Sequence, residues 1–124
     1  MDTRARHVLV DLWGCDPAVL DDVEELRAVM RAAVVAAGSR AVAETTHRYV
    51  PQGVSVLVAI EESHMSLHTW PEAAYAAADF YTCGSATPER AVEALREGVR
   101  AERLEVLTVE RGLGPPASLR VRAP

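Results

Sequence analysis

The spacing of hydrophobic positions changes along the chain and predicts a mixed fold of helices and strands. In two segments apolar residues recur every three or four positions, as on one face of an amphipathic helix. The first helix is predicted to begin at Asp16-Pro17, where the aspartate can cap it, and to end at Gly38. The second is predicted to begin at Pro88, after the capping residue Thr87. The apolar positions are Leu20, Val23, Leu26, Met30 and Val34 in the first helix, and Val92, Leu95 and Val99 in the second.

The other apolar segments alternate with a period of two or are rich in β-branched residues, which is typical of strands. Strands are predicted over residues 7–13, 40–49, 54–61, 64–70, 75–83 and 104–109. Several strands in succession favour an antiparallel sheet, with both helices on one face. We therefore expect an α/β (α+β) two-layer sandwich, mainly antiparallel sheet with helices packed on one face. A second copy of the chain is the simplest cover for the other face.

The length and composition indicate a single globular domain spanning residues 1–124. The chain has 124 residues, of which 49% are hydrophobic and 25% charged. The segment 113–124 contains Gly114-Pro115-Pro116 and is expected to be a loose tail.

The charge and the cysteines limit the classes of partner and the compartment. The net charge is −5, and no basic stripe is present that could contact phosphates, so no nucleic-acid partner is expected. No apolar run reaches the length of a membrane span, and no secretion signal is recognisable. Cys15 and Cys83 lie far apart, as in a protein that keeps its thiols reduced. We expect a cytoplasmic protein that acts on a small molecule.

Residues 61–72 carry the most informative chemistry. They read Glu-Glu-Ser-His-Met-Ser-Leu-His-Thr-Trp-Pro-Glu, and Cys83 follows eleven residues later. The Ser63 hydroxyl could attack the carbonyl carbon of Glu62 and form an ester, with Ser55 as a candidate donor to the oxyanion. His68 could then remove the α-proton of residue 63. Elimination and loss of ammonia would leave a pyruvoyl group at a new N-terminus.

A metal site is the first alternative for this segment, and strand geometry disfavours it. His64, His68 and Cys83 have metal-binding side chains. The residues between the two histidines alternate as in a strand, and four residues of strand rise about 13 Å, too far for both rings to bind one ion. We expect no metal site. His7 and His47 have no evident partner in the sequence and are interpreted as structural.

Other interpretations stay open from the residues alone. Ser63 could be an ordinary turn residue. Cys83 with a nearby histidine could be the nucleophile of a hydrolase, which would also need an orienting group and an oxyanion hole. The side chains of Tyr49, Trp70, Glu61 and Glu72 could belong to the core or the solvated surface, or could form a pocket for a cationic or heteroaromatic substrate.

Two stretches of sequence resemble a known family. One is Glu62-Ser63-His64-x-Ser66-x-His68-Thr69-Trp70-Pro71-Glu72, followed by Thr82-Cys83-Gly84. The other is the N-terminal stretch 7–15, with Pro51-Gln52-Gly53-Val54-Ser55. Together they resemble the prokaryotic S-adenosylmethionine decarboxylases, the pyruvoyl enzymes of polyamine synthesis. The resemblance extends over most of residues 6–112.

The resemblance implies a self-processing proenzyme. It implies cleavage between Glu62 and Ser63 into a β chain (1–62) and an α chain (63–124), with Ser63 becoming a covalent pyruvoyl group. Ser55 and His68 would serve processing, and Cys83 would be the proton donor in decarboxylation, with a role in processing too. The substrate amine would form a Schiff base with the pyruvoyl group, and the product would be an aminopropyl donor for spermidine. The resemblance also implies a homodimer with active sites at the interface.

The resemblance assigns the substrate less firmly than the reaction. It implies that the residue at Tyr49, a phenylalanine in the family, stacks on adenine, and that Glu72 contacts the ribose or the amine. The sequence departs from the family pattern around this pocket, with Ala73-Ala74 in place of Tyr-Gly, Trp13 in place of a tyrosine, and Glu61 in place of a small residue.

Two alternative functions remain, and the first follows from these departures. A basic amino acid, ornithine or arginine, would need a carboxylate for its extra cation, which Glu61 or Asp79 could provide. The third hypothesis is a non-catalytic regulatory partner of an active homologue. Retention of Ser63, His68 and Cys83 argues against that hypothesis.

Overall fold

The computed structural model describes residues 2–61 and 63–122, which form an antiparallel sheet with helices on one face. Glu62, the first of the two predicted cleavage residues, lies outside the described residues. The strands are β1 (Ala5–Trp13), β2 (Ala41–Arg48), β3 (Val54–Ile60), β4 (Ser63–Trp70), β5 (Tyr75–Thr82), β6 (Arg103–Arg111) and β7 (Arg120–Arg122). The helices are α1 (Pro17–Leu20), α2 (Val23–Ala36) and α3 (Pro88–Val99), with a 3-10 turn over Pro71–Ala73. The predicted two-layer fold is confirmed.

The spatial order of the strands differs from their order in the chain. The sheet runs β2-β3-β4-β5-β1-β6-β7, and neighbouring strands in it are antiparallel. Strands β2 to β5 follow one another as a meander, because short turns join them. The first strand of the chain lies between β5 and β6. This placement brings side chains of β1 beside those of β5 and, one strand further, β4.

One face of the sheet packs against α2 and α3 and forms the core. Leu26 and Met30 of α2 and Leu95 of α3 are fully buried in one cluster with Leu12 and Phe80 of the sheet. Burying a side chain of this size contributes about 1.5–3 kcal/mol to folding. The two helices approach each other closely where Gly98 of α3 faces Val29 of α2.

The other face of the sheet, called the open face below, is partly exposed. Leu9, Leu57 and Leu107 are 39%, 44% and 44% exposed there, more than expected for large apolar side chains in the middle of a sheet. Alternation along the strands places on this face His7, Leu9 and Asp11 of β1, Ser55 and Leu57 of β3, His64, Ser66, His68 and Trp70 of β4, Tyr75, Ala77, Asp79 and Tyr81 of β5, and Leu107 of β6.

The first predicted helix is divided into α1 and α2 at Asp21-Asp22. The Asp22 carboxylate accepts a hydrogen bond from the Glu25 backbone N–H at 3.1 Å and so caps a new helix. The Asp21 carboxylate accepts from the Gly53 backbone N–H at 3.0 Å. The apolar spacing continues through this break, so it predicted one helix, whereas two adjacent capping residues produce two.

The tail is more ordered than predicted. Arg120–Arg122 forms strand β7 and pairs with β6, so the expectation of a loose tail is wrong for these three residues. The Arg120 guanidinium donates to the Glu110 carboxylate at 2.8 Å.

None of the helices within residues 2–61 and 63–122 is long and apolar enough to cross a membrane.

Candidate active site

Ser63 and Cys83 lie together at one end of the sheet. Ser63 is the first residue of β4 and pairs with Ile60 of β3, so only two residues connect these strands. Cys83 directly follows the last residue of β5, the strand that pairs with β4 on its other side. The Ser63 Oγ lies 3.7 Å from the Cys83 Sγ, and both side chains are half-buried. We call this pair the Ser63 half-site.

Ser55 and His68 lie together at the other end of β4. They are direct partners in the β3–β4 ladder, and the Ser55 Oγ lies 2.7 Å from the His68 Nδ1. The Tyr49 Oη lies 3.0 Å from the same Ser55 Oγ. Ser55 is 2% exposed, so its hydroxyl depends on these partners rather than on solvent. We call Tyr49, Ser55 and His68 the His68 half-site.

The two half-sites are separated along one strand. Ser63 and His68 are five positions apart in β4. A strand rises about 3.3 Å per residue, so their Cα atoms are about 17 Å apart. The structure therefore brings Ser63 to Cys83, and Ser55 to His68, but it does not bring His68 to Ser63 within one chain. A side chain at His68 cannot remove a proton from residue 63 of the same chain at this distance.

A pocket adjoins the His68 half-site and contains most of the predicted substrate-binding residues. Its volume is about 430 Å³. Tyr49 and Trp70 are about half exposed, and their rings therefore remain available for stacking. Trp70 also stacks on Tyr75, with ring centroids 5.2 Å apart. The lining residues are Tyr49, Gln52, Ser55, His68, Thr69, Trp70 and Glu72.

Glu61 lies away from this pocket. It directly follows β3, at the same end of the sheet as the Ser63 half-site. Its carboxylate is exposed, with the Arg40 guanidinium 3.9 Å away. The structure thus gathers three of the four predicted substrate-binding residues, namely Tyr49, Trp70 and Glu72, and separates Glu61 from them within one chain.

Asp79 is the centre of a polar cluster that the sequence did not predict. Its carboxylate accepts hydrogen bonds from Ser66 Oγ, from His7 Nε2 at 2.5 Å and from His64 Nε2 at 3.0 Å. His7, which has no evident partner in the sequence, therefore has one in the fold. Burial acts to raise the pKa of Asp79, but the bonds from Ser66 and the two histidines outweigh it and hold that pKa below its usual value.

The register of the sheet explains this cluster. Ser66 of β4 is opposite Asp79 of β5, and His64 is opposite Tyr81, which in turn pairs with His7 of β1. The signal for it was a polar residue at alternate positions of three strands. That signal becomes useful only when the strand order is known, because β1 is distant from β4 in sequence.

The cluster resembles a metal-binding set, yet its hydrogen bonds favour a different interpretation. The nearest ligand atoms of His7, His64 and Asp79 all lie within 4.8 Å of one another. The Arg111 guanidinium lies 3.2 Å from the His7 Nδ1 and can only donate to it. A neutral His7 then carries its proton on Nε2, which points at Asp79, so that nitrogen has no lone pair for an ion. The cluster is a hydrogen-bonded charge network.

The second cysteine has no part in either half-site. Cys15 is 3% exposed and belongs to the core. Burial raises the pKa of its thiol to about 11, so the thiol stays protonated and unreactive at neutral pH.

Comparisons with known proteins agree with the geometry. Residues 6–112 match the sequence profile of the family described as S-adenosylmethionine decarboxylase. A Thermotoga petrophila protein named S-adenosylmethionine decarboxylase proenzyme is 42% identical over 113 residues, covering 90% of this chain and 87% of its own. A protein of the same name from Anoxybacillus flavithermus is 40% identical, covering 93% of each chain.

A solved structure agrees as well. The crystal structure of the adenosylmethionine decarboxylase from Aquifex aeolicus superposes with a TM-score of 0.82 at 31% identity, covering 95% of this chain and 98% of that one. The sequence profile, the sequence identity and the fold therefore indicate the same family, and each match covers most of this chain. The chain belongs to the S-adenosylmethionine decarboxylase family.

Proposed function

We propose that this chain is a self-processing decarboxylase that acts on S-adenosylmethionine through a pyruvoyl group made from Ser63. The observation that carries the proposal is the 3.7 Å contact between the Ser63 Oγ, at the first residue of β4, and the Cys83 Sγ. It places the hydroxyl that would be consumed beside a thiol that can donate a proton. The relatives named S-adenosylmethionine decarboxylase proenzyme support the same activity.

The cleavage needs only groups of the chain and water. The Ser63 Oγ attacks the carbonyl carbon of residue 62, the peptide C–N bond breaks, and the amine of residue 63 is freed as an ester forms. A base then removes the α-proton of residue 63, and the ester C–O bond breaks, leaving a carboxylate on residue 62. Water adds to the resulting unsaturated amine and ammonia leaves, which produces the ketone.

We further propose that the base comes from a second copy of the chain. The distance of about 17 Å between Ser63 and His68 along β4 prevents one chain from completing the site. Two sheets that pack face to face lie about 10 Å apart. A two-fold axis between the sheets and perpendicular to the strands would put the Ser63 half-site of one copy over the His68 half-site of the other.

The open face supports such a homodimer. It exposes Leu9, Leu57 and Leu107 around the middle of β4, where a second sheet would cover them. The Ser55 hydroxyl and the His68 ring then meet the partner's Ser63 and Cys83, and each dimer has two complete sites. The region lined by Leu9, His68, Asp79 and Leu107 forms a broad concavity of about 640 Å³, which a second copy could fill in part.

The residues around the pyruvoyl group would divide the remaining work. The group supplies a carbonyl that binds the substrate amine and accepts the electrons left when carbon dioxide departs. Its position at residue 63 fits this role, because the Cys83 Sγ beside it can deliver a proton to the substrate carbon. The Tyr49 and Trp70 rings offer faces to adenine and to the sulfonium cation, and Glu72 offers a carboxylate to the ribose or the amine.

The structure favours this substrate over a basic amino acid. A second cation would need a carboxylate that is available to it. Asp79 already accepts three hydrogen bonds, and the Glu61 carboxylate has the Arg40 guanidinium 3.9 Å away as a competing cation. The pocket beside His68 offers two aromatic faces, which suit adenine better than an alkyl ammonium.

A cytoplasmic location remains a prediction.

The intact mass of the denatured protein tests the proposed processing. We expect fragments 1–62 and 63–124, the second lighter by one ammonia than simple hydrolysis would give. Ser63→Ala is the matched control and should stay a single chain. A wild-type chain that remains uncut after long incubation would overturn the proposal and favour a non-catalytic regulatory role. For a processed protein, release of carbon dioxide from S-adenosylmethionine, compared with ornithine and arginine, decides the substrate.

A further inference from the structure

Tyr49 presents a hydroxyl to Ser55 in addition to a ring for stacking. The Tyr49 Oη lies 3.0 Å from the Ser55 Oγ, which lies 2.7 Å from the His68 Nδ1. His47 packs edge-on against the Tyr49 ring at 4.6 Å between centroids and restricts its position. Three polar groups therefore form one hydrogen-bonded chain, and the middle member is buried. Stacking on adenine makes no use of this hydroxyl.

The direction of this chain determines which nitrogen of His68 carries the proton. A neutral imidazole has one N–H and one lone pair. Ser55 holds Nδ1, so Nε2 is the nitrogen left to act as a base. For Nε2 to have a lone pair, Nδ1 must carry the proton and donate it to the Ser55 Oγ. The single hydroxyl hydrogen of Ser55 must then point to another acceptor.

Tyr49 Oη is positioned to be that acceptor. Ser55 is 2% exposed, so water is a poor substitute. The Tyr49 hydroxyl can both donate and accept, so its own hydrogen can turn away from Ser55 while its oxygen accepts. Without the Tyr49 oxygen, the Ser55 hydrogen would turn to the His68 Nδ1. The proton of the ring would then reside on Nε2, where it blocks the base.

We propose that Tyr49 is a positioning residue: through Ser55, its hydroxyl holds His68 with the proton on Nδ1 and a lone pair on Nε2. The value of this arrangement for catalysis rests on the proposed function, since His68 is the base of the processing step there. The direction of the hydrogen-bonded chain is inferred from that role, but the tautomer can be measured in a protein that never cleaves.

Long-range ¹H–¹⁵N NMR of the histidine rings tests the tautomer directly. All variants carry Ser63→Ala, so that every chain is intact, and His68→Gln assigns the His68 signals among the four histidines. We expect an Nδ1–H ring in the parent and a shift toward Nε2–H in Tyr49→Phe. Tyr75→Phe is the matched control, because it removes a hydroxyl that bonds to Asp11 instead and should leave His68 unchanged. An unchanged His68 tautomer in Tyr49→Phe would overturn the proposal.

A double-mutant cycle on processing tests whether Tyr49 acts through Ser55. In chains that keep Ser63, Tyr49→Phe should slow cleavage about fivefold, the effect of one ordinary hydrogen bond. In a Ser55→Ala background it should have no further effect, because the link to His68 is already broken. The same slowing in both backgrounds would mean that Tyr49 acts by another route and would overturn the proposal.

The two readouts separate this inference from the proposed function. If the wild-type chain never cleaves but its His68 tautomer changes in Tyr49→Phe, the proposed function is wrong and the inference is supported. If wild type and Tyr49→Phe cleave at the same rate and have the same His68 tautomer, only the inference is wrong. Thermal unfolding of each variant establishes that the fold is retained in the comparison.

Discussion

The Ser63 Oγ and the Cys83 Sγ lie 3.7 Å apart although twenty positions separate the residues in sequence. A two-residue connection fixes the first, and the end of the neighbouring strand fixes the second. Their proximity is thus a property of the sheet rather than of a flexible loop. It links the atom that would be consumed in processing with the atom that would serve turnover.

Cys83→Ala should impair decarboxylation strongly. Removing a proton donor from the reacting carbon costs about 10²- to 10⁴-fold in rate. Carbon dioxide release is measured per cleaved chain, so that an effect on processing is accounted for separately. Cys15→Ala is the matched control, because that thiol is buried in the core with a raised pKa and touches neither half-site. A cleaved Cys83→Ala enzyme with normal turnover would remove Cys83 from the mechanism.

Co-expression of two inactive variants tests the composite site. Neither His68→Ala nor Ser63→Ala alone should yield the pyruvoyl fragment. In a mixed dimer the Ser63 of the first variant meets the intact His68 of the second, so about half of the His68→Ala chains should be cut at equal expression.

The control for this experiment pairs His68→Ala with the double variant Ser63→Ala/His68→Ala, which offers no intact His68 and should give no cleavage. Rescue by Ser63→Ala but not by the double variant supports a shared site. An absence of rescue in mixed dimers whose formation has been verified would indicate a site contained within one chain.

Two variants, Tyr49→Ala and Glu61→Ala, distinguish S-adenosylmethionine from a basic amino acid as the substrate. Tyr49→Ala removes the ring that would stack on adenine and should lower kcat/KM for S-adenosylmethionine about tenfold or more, whereas Tyr49→Phe keeps the ring and should not weaken substrate binding. Glu61→Ala should have little effect on this substrate. An enzyme for a basic amino acid would show the reverse pattern, and equal effects of Tyr49→Ala and Glu61→Ala would remove this basis for choosing.

Asp79→Asn should destabilise the fold in a pH-dependent manner. Three donors to a half-buried carboxylate lose their charged acceptor, at a cost of about 2 kcal/mol in the free energy of unfolding. Burial opposes the charged form, but the bonds from Ser66, His7 and His64 prevail and the folded-state pKa of Asp79 is lowered. Its stabilisation is therefore present above the unfolded value of about 3.9 and is lost as the pH falls through the folded pKa.

Urea denaturation between pH 5 and pH 2 measures this effect. The difference between wild type and Asp79→Asn should be largest at pH 5 and shrink as the pH falls below about 4. Glu97→Gln, at an exposed position of α3, should show almost no difference at any pH. A constant difference between wild type and Asp79→Asn over the whole range would mean that the ionised carboxylate does not stabilise the fold.

Gly98→Ala should lower stability although alanine is the better helix former. A Cβ at Gly98 of α3 would lie 2.6 Å from the Val29 Cγ1 of α2. The buried valine is β-branched and cannot turn away easily, so overpacking exceeds the gain of about 1 kcal/mol in helix propensity. We expect a net loss of about 1 kcal/mol by urea denaturation. Glu97→Ala, one residue earlier and exposed, is the control, and an increase in stability for Gly98→Ala would contradict the close helix contact.

Local patterns predicted most elements of the fold because each element has a strong period. Strand alternation placed His64, His68 and Trp70 on one face, and helical spacing found the buried sides of α2 and α3. The division at Asp21-Asp22 was missed, because apolar spacing does not register a break when capping residues sit on the polar side. The pairing of β7 with β6 was missed, because a single valine between two arginines has too little apolar content to predict a strand.

The candidate site was predicted by residue type but not by arrangement. Spacing along a strand was used to separate His64 from His68, and the same argument applied to Ser63 and His68 would have predicted the two half-sites. The partnership of His7 with Asp79 is different in kind. It depends on β1 inserting beside β5, and such non-local strand order leaves no trace in the local pattern.

The strand order determines whether the protein can refold after it has been cleaved. The first strand lies between β5 and β6, and β4 lies between β3 and β5. A cut after residue 62 would leave β1 and β3 in one fragment and β4, β5 and β6 in the other. Three strand pairs, β3–β4, β5–β1 and β1–β6, would then hold the two polypeptides together. The fragments could not part without unfolding, and once unfolded they would have to find each other by diffusion. The chain would thus fold once, while still continuous, and the mature protein would depend on a pathway that it can no longer repeat.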